Sequence, residues 1–183
     1  MAIIPYAHDD PQDDRVRARL DRLPEPRINL FTMLANAPAL YAPAMRLGEA
    51  ILTKSDLPAD LRELAILQSA KTTATEYEWV QHEGIAKLVG VPAEKIDAIR
   101  SGDLAALEPA EAAAMRLVDG CIGTGTPDEA LVREVAEHHG RNGLIELLLV
   151  AGYYAMLGGV MRAVRIDVDS VLEKGMMDPE RLR

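Results

Sequence analysis

The chain has 183 residues, enough for one domain with a core of its own and too few for two. Its 49% hydrophobic and 27% charged residues are the make-up of a globular protein, and its 4% aromatics argue against a β-sandwich, which draws on aromatic and β-branched side chains. With 20 basic against 29 acidic residues the net charge is -9, so no nucleic acid is expected as a partner, and the single cysteine, Cys121, excludes an intrachain disulfide and a Cys-x-x-Cys couple.

Residues 1–26 carry Pro5, Pro11, Pro24 and Pro26 among a string of acids. They read as an extended arm with one short helix near Arg15–Leu23, either partly disordered or wrapped over a neighbouring subunit. The basic run from Arg15 to Arg22 is interleaved with acids and reads as a solvated helix face. The opening MAIIPYAHDDPQDD puts acids where a secretory signal needs a basic region, so a cytoplasmic location is expected.

Residues 27–183 read as a single helical domain. INLFTMLANA is a short amphipathic helix closed by Pro38, and PALYAPAMRLGEAIL is the next, with Pro43 in its first turn or at a kink. Leu57-Pro58 opens a further helix, broken by KTTAT, and another runs from about Glu76 to Leu88 before Gly90 and Pro92. PAEKIDAIRSG and EPAEAAAMRLVDGCIG follow as helices, the second with acids in its first turn, where the macrodipole favours them. Cys121 lies on that apolar helix as an inert core thiol. PDEALVREVAEHHG comes next, then NGLIELLLVAGYYAMLGGVMRAV, apolar nearly all round and so expected to be buried on every side, centrally or between subunits. Its Gly152, Gly158 and Gly159 suggest close backbone contacts. The run LLLVAGYYAMLGGVM falls short of the roughly 20 residues of a membrane span, so no membrane partner is expected. No stretch alternates with period 2, and the fold class is all-α.

Standard chemical motifs are missing: no HExxH zinc signature, no lysine in GTGTPDE to make a phosphate loop, no nucleophile elbow. His138 and His139 stand before Gly140 at a helix C-terminus, where capping is their expected role. No metal site is expected. What stands out is one ionisable residue on the apolar stripe of each of two successive helices. At about 100° per residue, Ala59, Ile66, Leu67 and Ala70 gather around Glu63, while Thr75, Glu78, Trp79, Ile85, Ala86 and Val89 gather around His82. A lone buried carboxylate or imidazole costs several kcal/mol, so the two are expected to pair. Glu78, one turn before His82, can orient or charge the imidazole. Trp79, close in angle, can wall a pocket, whereas Tyr77 is about 140° away.

The spacing RELAIL, EYEWVQH and GV, with INLFTMLANAPALYAP upstream and IELLLVAGYYAMLGGVMRAV downstream, resembles the carboxymuconolactone decarboxylase and AhpD-like group. The resemblance implies an AhpD-like helical bundle, oligomer-forming as trimers or hexamers, with its site near a subunit interface. In the AhpD-like branch the acid of the first helix and the histidine of the second relay protons to a Cys-x-x-Cys pair. Those roles map onto Glu63 and His82, but Glu76 and Trp79 stand where the thiols would be and Tyr77 where that branch has a second histidine. Without a thiolate that chemistry lacks its nucleophile. The decarboxylase branch needs no cysteine and no cofactor, and it implies loss of CO2 from a small carboxylated lactone or related ring acid. There His82 would be the general acid and Glu63 would fix its tautomer and favour its charged form. Tyr77, Glu78, Trp79 and Tyr153 are the candidates to bind the acidic substrate. Two alternatives stay open: an antioxidant oxidoreductase with degenerate cysteines, and a non-catalytic helical oligomer in which the pair only specifies packing.

Overall fold

A computed structural model describes residues 1–23, 25 and 27–169. Its described elements are helical: α1 (Asp14–Leu20), α2 (Asn29–Leu34), α3 (Pro38–Lys54), α4 (Ala59–Thr72), α5 (Glu76–Leu88), α6 (Ala93–Ser101), a 3₁₀ turn at Leu104–Ala106, α7 (Pro109–Gly123) and α8 (Glu129–Val164). The all-α expectation is thereby met, with no strand among the described residues.

The central rod is α4. Every residue from Leu61 to Ala70 is buried, because α5, α6, α7 and α8 all pack against it. Leu64, Ile66 and Leu67 of α4 meet Ile99 of α6, Met115 and Leu117 of α7 and Leu147 of α8 in one continuous core. Polar side chains on such a helix need internal partners. Gln68 donates to Asp119 of α7 at 3.2 Å, and Ser69 donates to the Ala65 carbonyl at 2.8 Å.

The two C-terminal helices form one span, Glu129–Val164, broken at Gly140, whose φ of 70° and ψ of 175° only glycine holds without strain. Asp128 caps its start by accepting from the Ala130 and Leu131 amides. Of the two places expected for the apolar helix after Gly140, the single chain does not enclose it centrally on every side. One face, with Leu147, Val150, Tyr154 and Leu157, belongs to the core, while Ile145, Leu149 and Met156 are about half exposed. The central position falls to α4 because it is flanked by neighbours on all sides, not because it is the more apolar. By length and composition α8 is apolar enough to cross a membrane, contrary to the reading of its longest apolar run, yet that inner face is packed against protein.

The N-terminal residues fold onto their own chain. Asp13 caps α1 through the Arg15 and Val16 amides, and Val16 and Leu20 pack with Ala35 and Tyr41. The segment after α8 then clasps the start of the chain. The Met1 ammonium lies 2.9 Å from Asp167, the Tyr6 hydroxyl donates to Asp167 at 2.9 Å, and the Asn29 amide donates to Asp169 at 2.6 Å.

Among the glycines, Gly158 meets the expected close contact: a Cβ there would lie 2.7 Å from the Thr75 hydroxyl. Gly152 and Gly159 face open space instead. The tightest approach is on α3, where a Cβ on Gly48 would lie 2.3 Å from the Tyr153 hydroxyl of α8. Gly48→Ala should therefore force the ring of Tyr153 to shift and destabilise the protein by about 1–3 kcal/mol. Urea denaturation checks this, and an unchanged midpoint would show that the α3–α8 contact is loose.

Candidate active site

The α4–α5 connection is three residues long and tightly tied. Thr73 ends α4, Ala74 takes a left-handed φ of 51°, and the Thr75 amide donates to the Ala70 carbonyl at 2.8 Å. The chain thus reverses at once and lays α5 along α4. Glu63 lies nine residues before Thr72 and His82 six after Glu76, so at 1.5 Å per residue the two sit at comparable depth, about 13 and 9 Å from the turn. Their side chains meet: His82 Nδ1 is 2.8 Å from Glu63 Oε2. Both groups are buried, Glu63 completely. The other carboxylate oxygen, Oε1, accepts from Arg62 Nε at 3.2 Å. Each oxygen of the buried acid is therefore satisfied by a donor, the condition under which a charge survives in a core. With Nδ1 turned to Glu63, the ring presents Nε2 as its uncommitted nitrogen, which has no hydrogen-bond partner among the described residues.

Tyr154 of α8 stacks edge-on against the imidazole, ring centroids 5.0 Å apart, and Tyr153 stands edge-on to Tyr154 at 5.2 Å. Burial pushes the Tyr153 hydroxyl up to about 12 and that of Tyr154 well above its ordinary value. Both remain neutral phenols over the physiological range.

Glu78 comes from α5 one turn before His82. It is 2% exposed, and neither carboxyl oxygen has a hydrogen-bond partner. Its proximity adds to the upward push on both tyrosines. Desolvation alone holds its own carboxyl well above the usual carboxylate range. Two neighbouring acids thus receive opposite treatment. Glu63 has a guanidinium and an imidazole, whereas Glu78 has no partner and keeps its proton.

Trp79 and Tyr77 are placed elsewhere. The Trp79 indole N–H donates to Glu83 at 2.8 Å, and the Arg100 guanidinium of α6 lies over its ring at 4.4 Å. The indole N–H needs an acceptor and finds one on the neighbouring stripe. The Tyr77 hydroxyl donates to Asp169 at 2.7 Å and accepts from the Leu30 amide at 3.2 Å, so it fastens α2 and the segment after α8 to α5. The capping role expected of His139 is also revised, since its Nε2 pairs with the Ala110 carbonyl of α7 at 3.0 Å. Cys121 is half-buried against the core. Among the described residues no group of three or more His, Cys, Asp or Glu is placed to hold a metal ion. Sequence reading missed Arg62 and Tyr154. The first was signalled by its place directly before Glu63, while the second is hidden in a helix where every neighbour is apolar.

The titration of Glu78 gives a signed prediction. Its carboxyl binds a proton in the folded protein and not in the unfolded one over the pH range above its ordinary value, so stability is highest at low pH and is lost as pH rises towards the folded-state value. Glu78→Gln should abolish that loss, worth at most about 1.4 kcal/mol per pH unit. Denaturation midpoints of both proteins between acid and neutral pH check it, and parallel curves would contradict a protonated Glu78.

The model of the carboxymuconolactone decarboxylase family matches residues 38–120, the stretch from the start of α3 into α7 that carries Glu63, Glu78 and His82. No curated protein matches the chain.

Proposed function

From a chain whose residues 38–120 belong to the carboxymuconolactone decarboxylase family, we propose a cofactor-independent lyase that removes CO2 from a small carboxylated lactone or related ring acid. The observation that carries this reading is the Glu63–His82 contact of 2.8 Å, which leaves His82 Nε2 as the one ring nitrogen free to serve a ligand. In the proposed step the bond between the ring and its carboxylate breaks, CO2 leaves, and its bonding electrons stay on the ring as a delocalised anion. The imidazolium of His82 then gives its Nε2 proton to that carbon and returns to the neutral tautomer with hydrogen on Nδ1, held by Glu63. Arg62 holds the other Glu63 oxygen at 3.2 Å and so keeps the carboxylate aimed at the imidazole. Tyr153, Tyr154 and Glu78 provide a largely dry surround, in which a carboxylate is easier to lose than in water. Trp79 and Tyr77 support this site from behind by fixing α5 to α6 and to α2. The thiol route of the AhpD-like branch is not favoured, since Cys121 is the only cysteine and lies on α7.

His82→Ala should cut CO2 release from a responsive lactone acid by roughly 10²–10⁴-fold. A folded variant with undiminished turnover would remove His82 from the chemistry.

We also propose that the protein is a homo-oligomer. Ile145, Leu149 and Met156, spaced four and seven residues apart on α8, are 54%, 51% and 50% exposed, and Gly152 between them meets nothing within reach. A continuous apolar stripe of this kind is covered in stable assemblies. Light scattering should give a trimer or hexamer for the native chain and a smaller species for the Leu149→Glu, Met156→Glu double variant. A monomeric native protein would refute the assembly.

A further inference from the structure

Several polar groups around His82 lack a hydrogen-bond partner among the described residues. His82 Nε2 has no partner among the described residues, nor do the hydroxyls of Tyr153 and Tyr154. Glu78 is buried with both oxygens unpartnered. The Glu63 carboxyl is already met by Arg62 Nε at 3.2 Å and His82 Nδ1 at 2.8 Å. Buried polar groups are as a rule hydrogen-bonded. A protonated Glu78, the phenols of Tyr153 and Tyr154 and an imidazolium at His82 Nε2 can each donate, and an acceptor would satisfy them. An anionic oxygen, of a carboxylate or of the enolate left by its loss, is the ligand chemistry that satisfies them all.

We infer that Glu78 is held as a neutral carboxylic acid whose O–H is the donor to an anionic oxygen of the bound substrate. This rests on the lyase reading and deepens it. An ionised Glu78 would repel a carboxylate at contact distance, so the same side chain that admits the substrate when protonated excludes it when charged. Tyr153 and Tyr154 of α8 interact electrostatically with it, Tyr154 also with Glu63 and Arg62 of α4, and His82 follows it by one turn on α5. Arg62 is engaged by Glu63, and neither tyrosine charges in the range concerned. No cation is therefore assigned to Glu78, and burial keeps it in the acid form. Glu78 acts as a positioning and binding residue. The proton that ends on carbon remains that of His82, and Glu78 keeps its own through the cycle, sharing it in a hydrogen bond.

The test separates this from the lyase proposal. Infrared difference spectra of protein labelled with ¹³C at glutamate carboxyls should show, at neutral pH, a protonated carboxyl C=O band that is absent from Glu78→Gln and kept in Glu63→Gln. Its absence from the labelled native protein overturns the inference without reference to any variant's folding or to any activity. Benzoate, used as the probe, should bind the native protein with an affinity that falls roughly tenfold per pH unit once Glu78 ionises. Glu78→Gln, still a donor through its amide, should bind benzoate without that fall. The same fall in the glutamine variant would assign the titration to another group and overturn the role. A band present alongside no detectable CO2 release from any lactone acid would sink the lyase reading alone, whereas release without the band would sink only this one.

Discussion

A charge buried inside a helical bundle must be answered by another group within hydrogen-bond reach, and the surroundings of Glu63 are arranged around that demand. The acid sits at the middle of the most enclosed helix in the molecule, where ionisation without partners would cost several kcal/mol. Its two oxygens are met from two sources: the preceding residue on the same helix supplies a guanidinium, and the next helix supplies an imidazole. That second contact fixes which nitrogen of His82 is occupied and therefore which one is offered to a ligand. Orientation of the imidazole is the mechanistic yield of an electrostatic necessity.

Glu78 shows what happens when the same demand is left unmet. Placed a turn away from His82 and deeply shielded, it has no hydrogen bond, and burial holds its carboxyl well above the usual carboxylate range. The contrast lies in the partners: Glu63 is met by Arg62 and His82, whereas neither oxygen of Glu78 has one.

The rest of the architecture holds these groups at fixed depth. A three-residue turn tied through Thr75 sets α5 against α4, Gly158 lets α8 pass close to that turn, and Gly48 lets α3 close over the Tyr153 hydroxyl. On the outer side Trp79, pinned by Glu83 and Arg100, locks α5 to α6. Tyr77 and Asp169 lock it to α2 and to the segment after α8. None of these residues needs to touch a substrate to matter for the site, because each restrains the helix that carries His82.

Sequence alone determined the helices, their order and the pairing of Glu63 with His82. Apolar residues recur with a helical period, prolines and glycines mark the ends, and an isolated acid and imidazole on facing stripes have few alternatives to meeting. The α5 bounds of Glu76–Leu88 were legible in this way, as was the break at Gly140. Tertiary structure decided everything that depends on which stripes face each other. Trp79 and Glu78 are adjacent in sequence and about 100° apart on one helix, yet one reaches a surface arginine and the other is sealed beside two tyrosines. Periodicity treated them alike because it describes a helix in isolation. It could not show that α4, the more polar rod, would take the centre, nor that α8 would keep an apolar face outward. Those outcomes depend on how many neighbours surround each helix, a quantity fixed by packing in three dimensions.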